Sequence, residues 1–237
     1  MHDDLQCPHR TGKRHSPLMP QQFRLTATGA KPSITRHAPV RGYIVFGVML
    51  TICPGCGVEL PSLDGPVHRY MESSPACWAA YGEVLAREYQ NPAYMVVHRL
   101  TVDTYAVQHP GRPGPQATQS VGAHLISLLA IVERGASQTE ATQLIGRAVA
   151  NIRFSWLEPL PSMGLLTVVS VLPTSTAAEH AQAVERWAAS AWQAWSAYHS
   201  VIRKWALLLD NAQLFGQPDA RRSLAPVTCS VRRYEQL

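Results

Sequence analysis

Residues 53–60 read CPGCGVEL, a Cys-x-x-Cys knuckle with Pro and Gly inside it. A tetrahedral zinc takes four ligands and this stretch offers two, Cys53 and Cys56. The next candidate histidine and cysteine ligands along the chain are His68 and Cys77. C-x2-C-x11-H-x8-C is a Cys3His set, and the Gly and Pro residues within it let the chain fold back around one ion. Cys77 falls in the first turn of an expected helix, where the positive end of the helix dipole favours the thiolate that binds metal. A redox Cys-x-x-Cys would follow a strand in a βαβ pattern, which this sequence lacks. Zinc, held by Cys53, Cys56, His68 and Cys77, is therefore the expected cofactor, in a structural role.

A second chemistry could come from the histidines. His98, Asp103, Tyr105 and His109 share one expected helix, with His98, Tyr105 and His109 along one face. They form a candidate catalytic group in which Asp103 or Tyr105 would serve as acid or base. His98 and His109 are eleven residues apart, about 16 Å at helical rise, so one ion cannot take both. His180 and His199, on a single expected last helix, are separated by about 28 Å by the same reasoning. A second, open metal site would thus need His98 or His109, then His124, then His180 or His199. Each also has a plainer reading. A histidine on an apolar face usually bonds a carbonyl, Asp103 can pair with Arg99 one turn earlier, and His109 suits a helix C-terminus.

These residues need helices to position them. Ser73 or Ser74 with Pro75 opens a helix on which Trp78, Tyr81, Leu85 and Tyr89 recur at helical spacing. A second runs from Asn91-Pro92 to His109, stopped by Pro110-Gly111. A third spans SVGAHLISLLAIVERG, capped by Ser120 and closed by Gly135. SQTE at 137–140 is a capping box opening a shorter helix toward Ala150. LLTVVSVL, 165–172, reads as extended. A long last helix carries Val184, Trp187, Ala191, Trp195, Tyr198 and Ile202 on one stripe, and its tryptophans (Trp187, Trp192, Trp195, Trp205) suit a core or a homodimer face. The fold class is mainly α, a four-helix-bundle-like domain over 73–209 with a small N-terminal zinc knuckle over 49–77. Residues 1–48 read as a disordered leader or an upstream-translated extension ahead of Met49, and 210–237 as a loose tail.

The formal charge of +5 sits in the leader. Residues 1–48 hold seven Lys/Arg against Asp3 and Asp4, which leaves fourteen of each sign from 49 onward. A neutral body lacks the basic stripe that phosphate backbones require, so no nucleic acid is expected as partner. The longest apolar run, YIVFGVML, is too short to span a bilayer, and no membrane association is expected. Five cysteines, three clustered and two in the tails (Cys7 and Cys229), do not form a secreted disulfide framework. A cytoplasmic location follows.

The segments CPGCG, HRY, SPACW, HRLTVDTYAVQHPG and SVGAHL together resemble an uncharacterised bacterial family known as a domain of unknown function, over about residues 50–207. The resemblance implies that Met49 is near the usual start and that His98, Asp103, Tyr105, Gln108 and His109 form the family's signature segment. It brings no activity. At the level of fold the histidine-bearing bundle also resembles DinB-like metal-dependent transferases and hydrolases, whose His-x-x-x-His pair on the last helix is absent here. The expected function is a zinc-stapled helical module that binds a protein or small-molecule partner. The alternative is a metal-dependent hydrolase or transferase using bundle histidines.

Overall fold

The computed structural model describes residues 42–45 and 48–215, which all fall within one compact unit spanning 39–237. Among the described residues the fold is mainly α-helical, with seven α-helices following a three-stranded antiparallel sheet. The sheet is a meander of β1 (Gly42–Val45), β2 (Val48–Ile52) and β3 (Glu59–Pro61), with Tyr43 opposite Leu50 and Thr51 opposite Leu60. β1 and the first residue of β2 fall in the stretch expected to be disordered. Composition averaged over the whole leader hid the short β-branched and aromatic run GYIV, which has a partner strand directly after it. The rest of the expected leader and most of the expected tail lie outside the described residues.

Helix starts follow local chemistry. α1 (Pro75–Gln90) has Pro75 in its first turn and Ser74 as N-cap, whose hydroxyl accepts from the Cys77 amide at 3.2 Å. Asn91 then caps α2 (Pro92–Met95), a single turn. The expected second helix is broken there, and α3 (His98–Gln108) restarts after Val97. α4 (Pro115–Leu128) begins five residues before Ser120, because Pro115 is preorganised for the first turn behind Gly114. It runs on into a π-helical turn, Leu129–Glu133, before Gly135 turns the chain at φ 65°. α5 (Gln138–Asn151) and α6 (Ala177–Ala194) both open with a reciprocal capping box, Ser137 with Glu140 and Thr176 with Glu179.

The segment expected to be extended, 165–172, contains a 3-10 turn at Val168–Ser170. With no partner strand, its valines (Val168, Val171) go into the core, and Arg87 of α1 donates to the carbonyls of Val171, Leu172 and Thr174. The expected single last helix is two. α6 ends at Trp195, a 3-10 turn follows, and α7 (His199–Phe215) begins with the His199 ring donating to the Trp192 carbonyl at 3.0 Å and stacked on the Trp192 ring. His199 thus adds a second donor to a carbonyl that the Trp195 amide already reaches at 3.0 Å, at the point where the helix breaks.

α3 lies at the centre, packed against α1, α4, α5 and α6. Thr101 and every residue from Asp103 to Gln108 are buried, so it presents no solvent face there. The four tryptophans named above are buried within this one chain's core. Two of them serve the end of α3, with Trp187 donating to Gln108 Oε1 at 2.7 Å and Trp195 to the Val107 carbonyl at 3.3 Å. Gln108 in turn donates Nε2 to the carbonyls of Met163 (2.6 Å) and Leu166 (2.8 Å), tying down the long connection between α5 and α6. Among the described residues no helix is long and apolar enough to cross a membrane.

A buried glutamine with three such bonds can be tested directly. Gln108→Leu leaves an indole N–H and two carbonyls without their partner, at about 1–3 kcal/mol each. Urea unfolding should show a loss of about 3 kcal/mol or more. A change within about 0.5 kcal/mol would mean that Gln108 does not organise the connection.

Candidate metal centre

β2 delivers Cys53 to a tight knuckle in which the Cys53 amide donates to the Val58 carbonyl and the Gly57 amide to the Cys53 carbonyl. This turn aims Cys53 and Cys56 at the first turn of α1, where Cys77 stands, and at the C-terminal end of α3, where His109 stands. Cys53, Cys56, Cys77 and His109 are all buried, with their ligand atoms within 4.8 Å of one another. Gly55 makes the approach possible. A side chain there would collide with the His109 ring and the Glu72 carbonyl. Gly111, at φ 73°, turns the chain just beyond His109, where a Cβ would meet the Tyr70 carbonyl.

Two of the separations are those of a tetrahedral site. Zinc–sulfur bonds of about 2.3 Å imply sulfur–sulfur edges of about 3.8 Å, and sulfur–nitrogen edges slightly shorter. Cys56 Sγ lies 3.7 Å from Cys77 Sγ, and His109 Nε2 lies 3.4 Å from Cys77 Sγ. The His109 tautomer is set from behind, since Nδ1–H donates to the Tyr105 carbonyl at 2.8 Å and leaves the Nε2 lone pair facing the sulfurs. The Ser74 amide reaches Cys53 Sγ at 3.5 Å, a donor suited to a thiolate.

Three thiols this close cannot all ionise unaided. Hydrogen bonds from Cys56 and then Cys77 hold Cys53 far below the ordinary thiol range. The contact with Cys53 is the largest influence that pushes Cys56 up, to about 12, and hydrogen bonding with Cys53 and Cys56, then burial, raises Cys77 strongly. A divalent cation is the charge that would stabilise the three thiolates together, so the donor set fits a metal ion with all four positions supplied by protein.

The fourth donor is the correction to the expected set. His109 takes the place given to His68, because α3 ends where its last side chain can turn into the knuckle, 32 positions beyond Cys77 in sequence. His68 instead packs its ring edge-on to Tyr70 and against Trp78, with Nδ1 buried and without a hydrogen bond. Burial lowers its pKa. The signal available in sequence was HPG, a histidine at a helix stop, which spacing from the Cys pair alone does not weigh.

The other histidines are dispersed, and this is the correction to the second metal site. Among the described residues, one group of three or more metal-capable side chains has its donors together, and it is the Cys3His set. His98 Nδ1 and His180 Nε2 donate to the two oxygens of buried Glu88, at 2.7 and 2.9 Å, and Thr101 joins them. His124 Nδ1 donates to Asp103 at 2.7 Å, and His199 is engaged at the start of α7. The candidate catalytic group is likewise divided. His109 joins the metal set, and Tyr105 is wholly buried, stacked between Tyr81 and His109 at 3.9 Å from each, with its hydroxyl 3.7 Å from Cys77 Sγ. Burial raises its pKa strongly, and its hydroxyl faces the cysteine cluster. Asp103 is wholly buried with Arg99, His124 and Ser127 on its oxygens.

Residues 51–196 match the model of a family of unknown function, DUF5946, and the chain belongs to that family. Neither the curated proteins nor the solved structures include a match. The matched region contains all four donors and the whole of α3.

The two histidine assignments separate cleanly by mutation. In protein purified without chelator, elemental analysis should find the metal lost or much reduced in His109→Ala and retained in His68→Ala. The reverse pattern would return the fourth position to His68.

Proposed function

We propose that the chain is a zinc-binding helical module in which Cys53, Cys56, Cys77 and His109 hold one structural zinc, and that it binds a ligand or partner through another part of the bundle. The observation that carries this reading is the compact donor set, three sulfurs and one imidazole nitrogen, all buried and with their ligand atoms within 4.8 Å of one another. A catalytic zinc keeps a position open for water, and here protein supplies every position. The zinc would supply cohesion, joining the β-sheet head, the start of α1 and the end of α3. Three unpaired buried thiols at Cys53, Cys56 and Cys77 suit a reducing compartment, the cytoplasm. The chemistry of the donors favours zinc over magnesium or calcium, which take oxygen ligands.

Elemental analysis of the full chain should give about one zinc per chain, falling toward zero in Cys56→Ser. Removal of the ion by a strong chelator should lower the melting temperature by about 10 °C or more, since each kcal/mol is worth about 2–4 °C at this size and a structural zinc contributes several. A chain that carries no zinc and melts identically with and without chelator overturns the reading.

A further inference from the structure

At the end of α3 remote from the metal, an open cleft of about 460 Å³ lies between the α2–α3 break and the start of α5, lined by His98, Arg99, Gln138, Thr139, Thr142 and Gln143. Its walls carry no acid. Arg99 is the residue whose bonding is incomplete. Nη2 donates to Asp103 Oδ1 at 2.6 Å, and Nε is buried with no hydrogen-bond partner. Among the described residues no hydrogen bond uses Nη1 either, so most of a planar five-donor fork remains unspent.

The arginine is nevertheless held in place. Its backbone amide donates to Gln138 Oε1 at 2.6 Å, and the carboxylate that grips its Nη2 is wholly buried and braced by His124 at 2.7 Å and Ser127 at 2.5 Å. His98 is fixed in the same manner, Nδ1–H on Glu88. The first turn of the 14-residue α5 contributes its positive dipole end to the same cleft, through Gln138 and Thr139. Glu140, the acid of that turn, is folded back onto the Ser137 amide and hydroxyl.

We infer that this cleft binds a small oxoanion, a carboxylate or phosphoryl group of a small molecule, with Arg99 as the principal donor and the Thr139 hydroxyl and Gln143 amide beside it. A preorganised guanidinium with free N–H groups is complementary to planar or tetrahedral oxoanions, and no ordering cost remains for the side chain on binding. The inference rests on the binding role proposed above, to which it gives a ligand class, and none of the four metal donors takes part in it.

The test is calorimetric titration of the zinc-loaded full chain with inorganic phosphate and with succinate, in a buffer free of other oxoanions. Saturable binding of either is expected, and the tighter of the two assigns the ligand as phosphoryl or carboxylate. Gln143→Glu, an exposed change that places a negative charge in the cleft, should weaken binding about tenfold or more, and Gln143→Lys should tighten it. Arg99→Lys, which keeps a cation beside Asp103 but removes the fork, should weaken it by a similar factor. Zinc content and melting temperature are measured on each variant, so that loss of fold or metal is read separately. Absence of saturable binding of both anions up to about 10 mM, or affinities unchanged in Gln143→Glu, would overturn the inference while leaving the zinc reading intact.

Discussion

The last turn of α3 is the constraint on which the remaining architecture depends. A helix ends with carbonyls that have no amide partner, and α3 ends inside the protein, where water cannot serve them. Trp195, directly after α6, takes the Val107 carbonyl, and the His109 ring takes that of Tyr105. Gln108 extends the same turn outward, receiving Trp187 and binding the carbonyls of Met163 and Leu166. Three consecutive residues thereby fix α6, the long connection and the knuckle. The Cys3His set follows from this, because the bond that satisfies the Tyr105 carbonyl is the one that turns the opposite ring nitrogen toward the cysteines.

The parts of this arrangement that are local in sequence are also those that can be read from it. SSPAC announces a capped helix start, SQTE and TAAE announce capping boxes, and CPGC announces a metal knuckle, because each signal is completed within four residues. His109 could not be ranked above His68 in the same way. The nearer histidine is favoured by chain distance, and the deciding factor is that α3 is buried on all sides with its end directed at the knuckle, a tertiary fact. The break at Trp195 was hidden for a related reason. The stripe of Val184, Trp187, Ala191 and Trp195 continues in phase into Tyr198 and Ile202, and the side-chain bond from His199 to the Trp192 carbonyl, which stabilises the break, has no periodic signature.

The scattered histidines illustrate how polar groups are made compatible with a helical core. Glu88 and Asp103 are both wholly buried, and each accepts three donors. A buried carboxylate is costly unless its lone pairs are filled. Histidine and Thr or Ser supply the donors from neighbouring helices, so that Glu88 joins α1 to α3 and α6, and Asp103 joins α3 to α4. The spacing along α3 that reads as a catalytic face is thus divided by depth. His98 and Arg99 at its start reach a cleft, Glu88 holding the first and Asp103 the second, and Tyr105 and His109 belong to the candidate metal centre.

That division places two different demands on one rigid helix. His98 and His109 bracket eleven residues of α3, about 16 Å at helical rise, so the cleft and the metal centre cannot share a ligand and do not touch. They share a framework. The position of Arg99 depends on Asp103, hence on the register of α3 against α4, and the register of α3 is held at its far end by the knuckle. An ion at one end of this largely buried helix would therefore steady the side chains at the other without contributing an atom to them. An ion held by the four donors would remove the freedom of α3 to slide or fray, and the arginine at its opposite end would then be presented in one orientation.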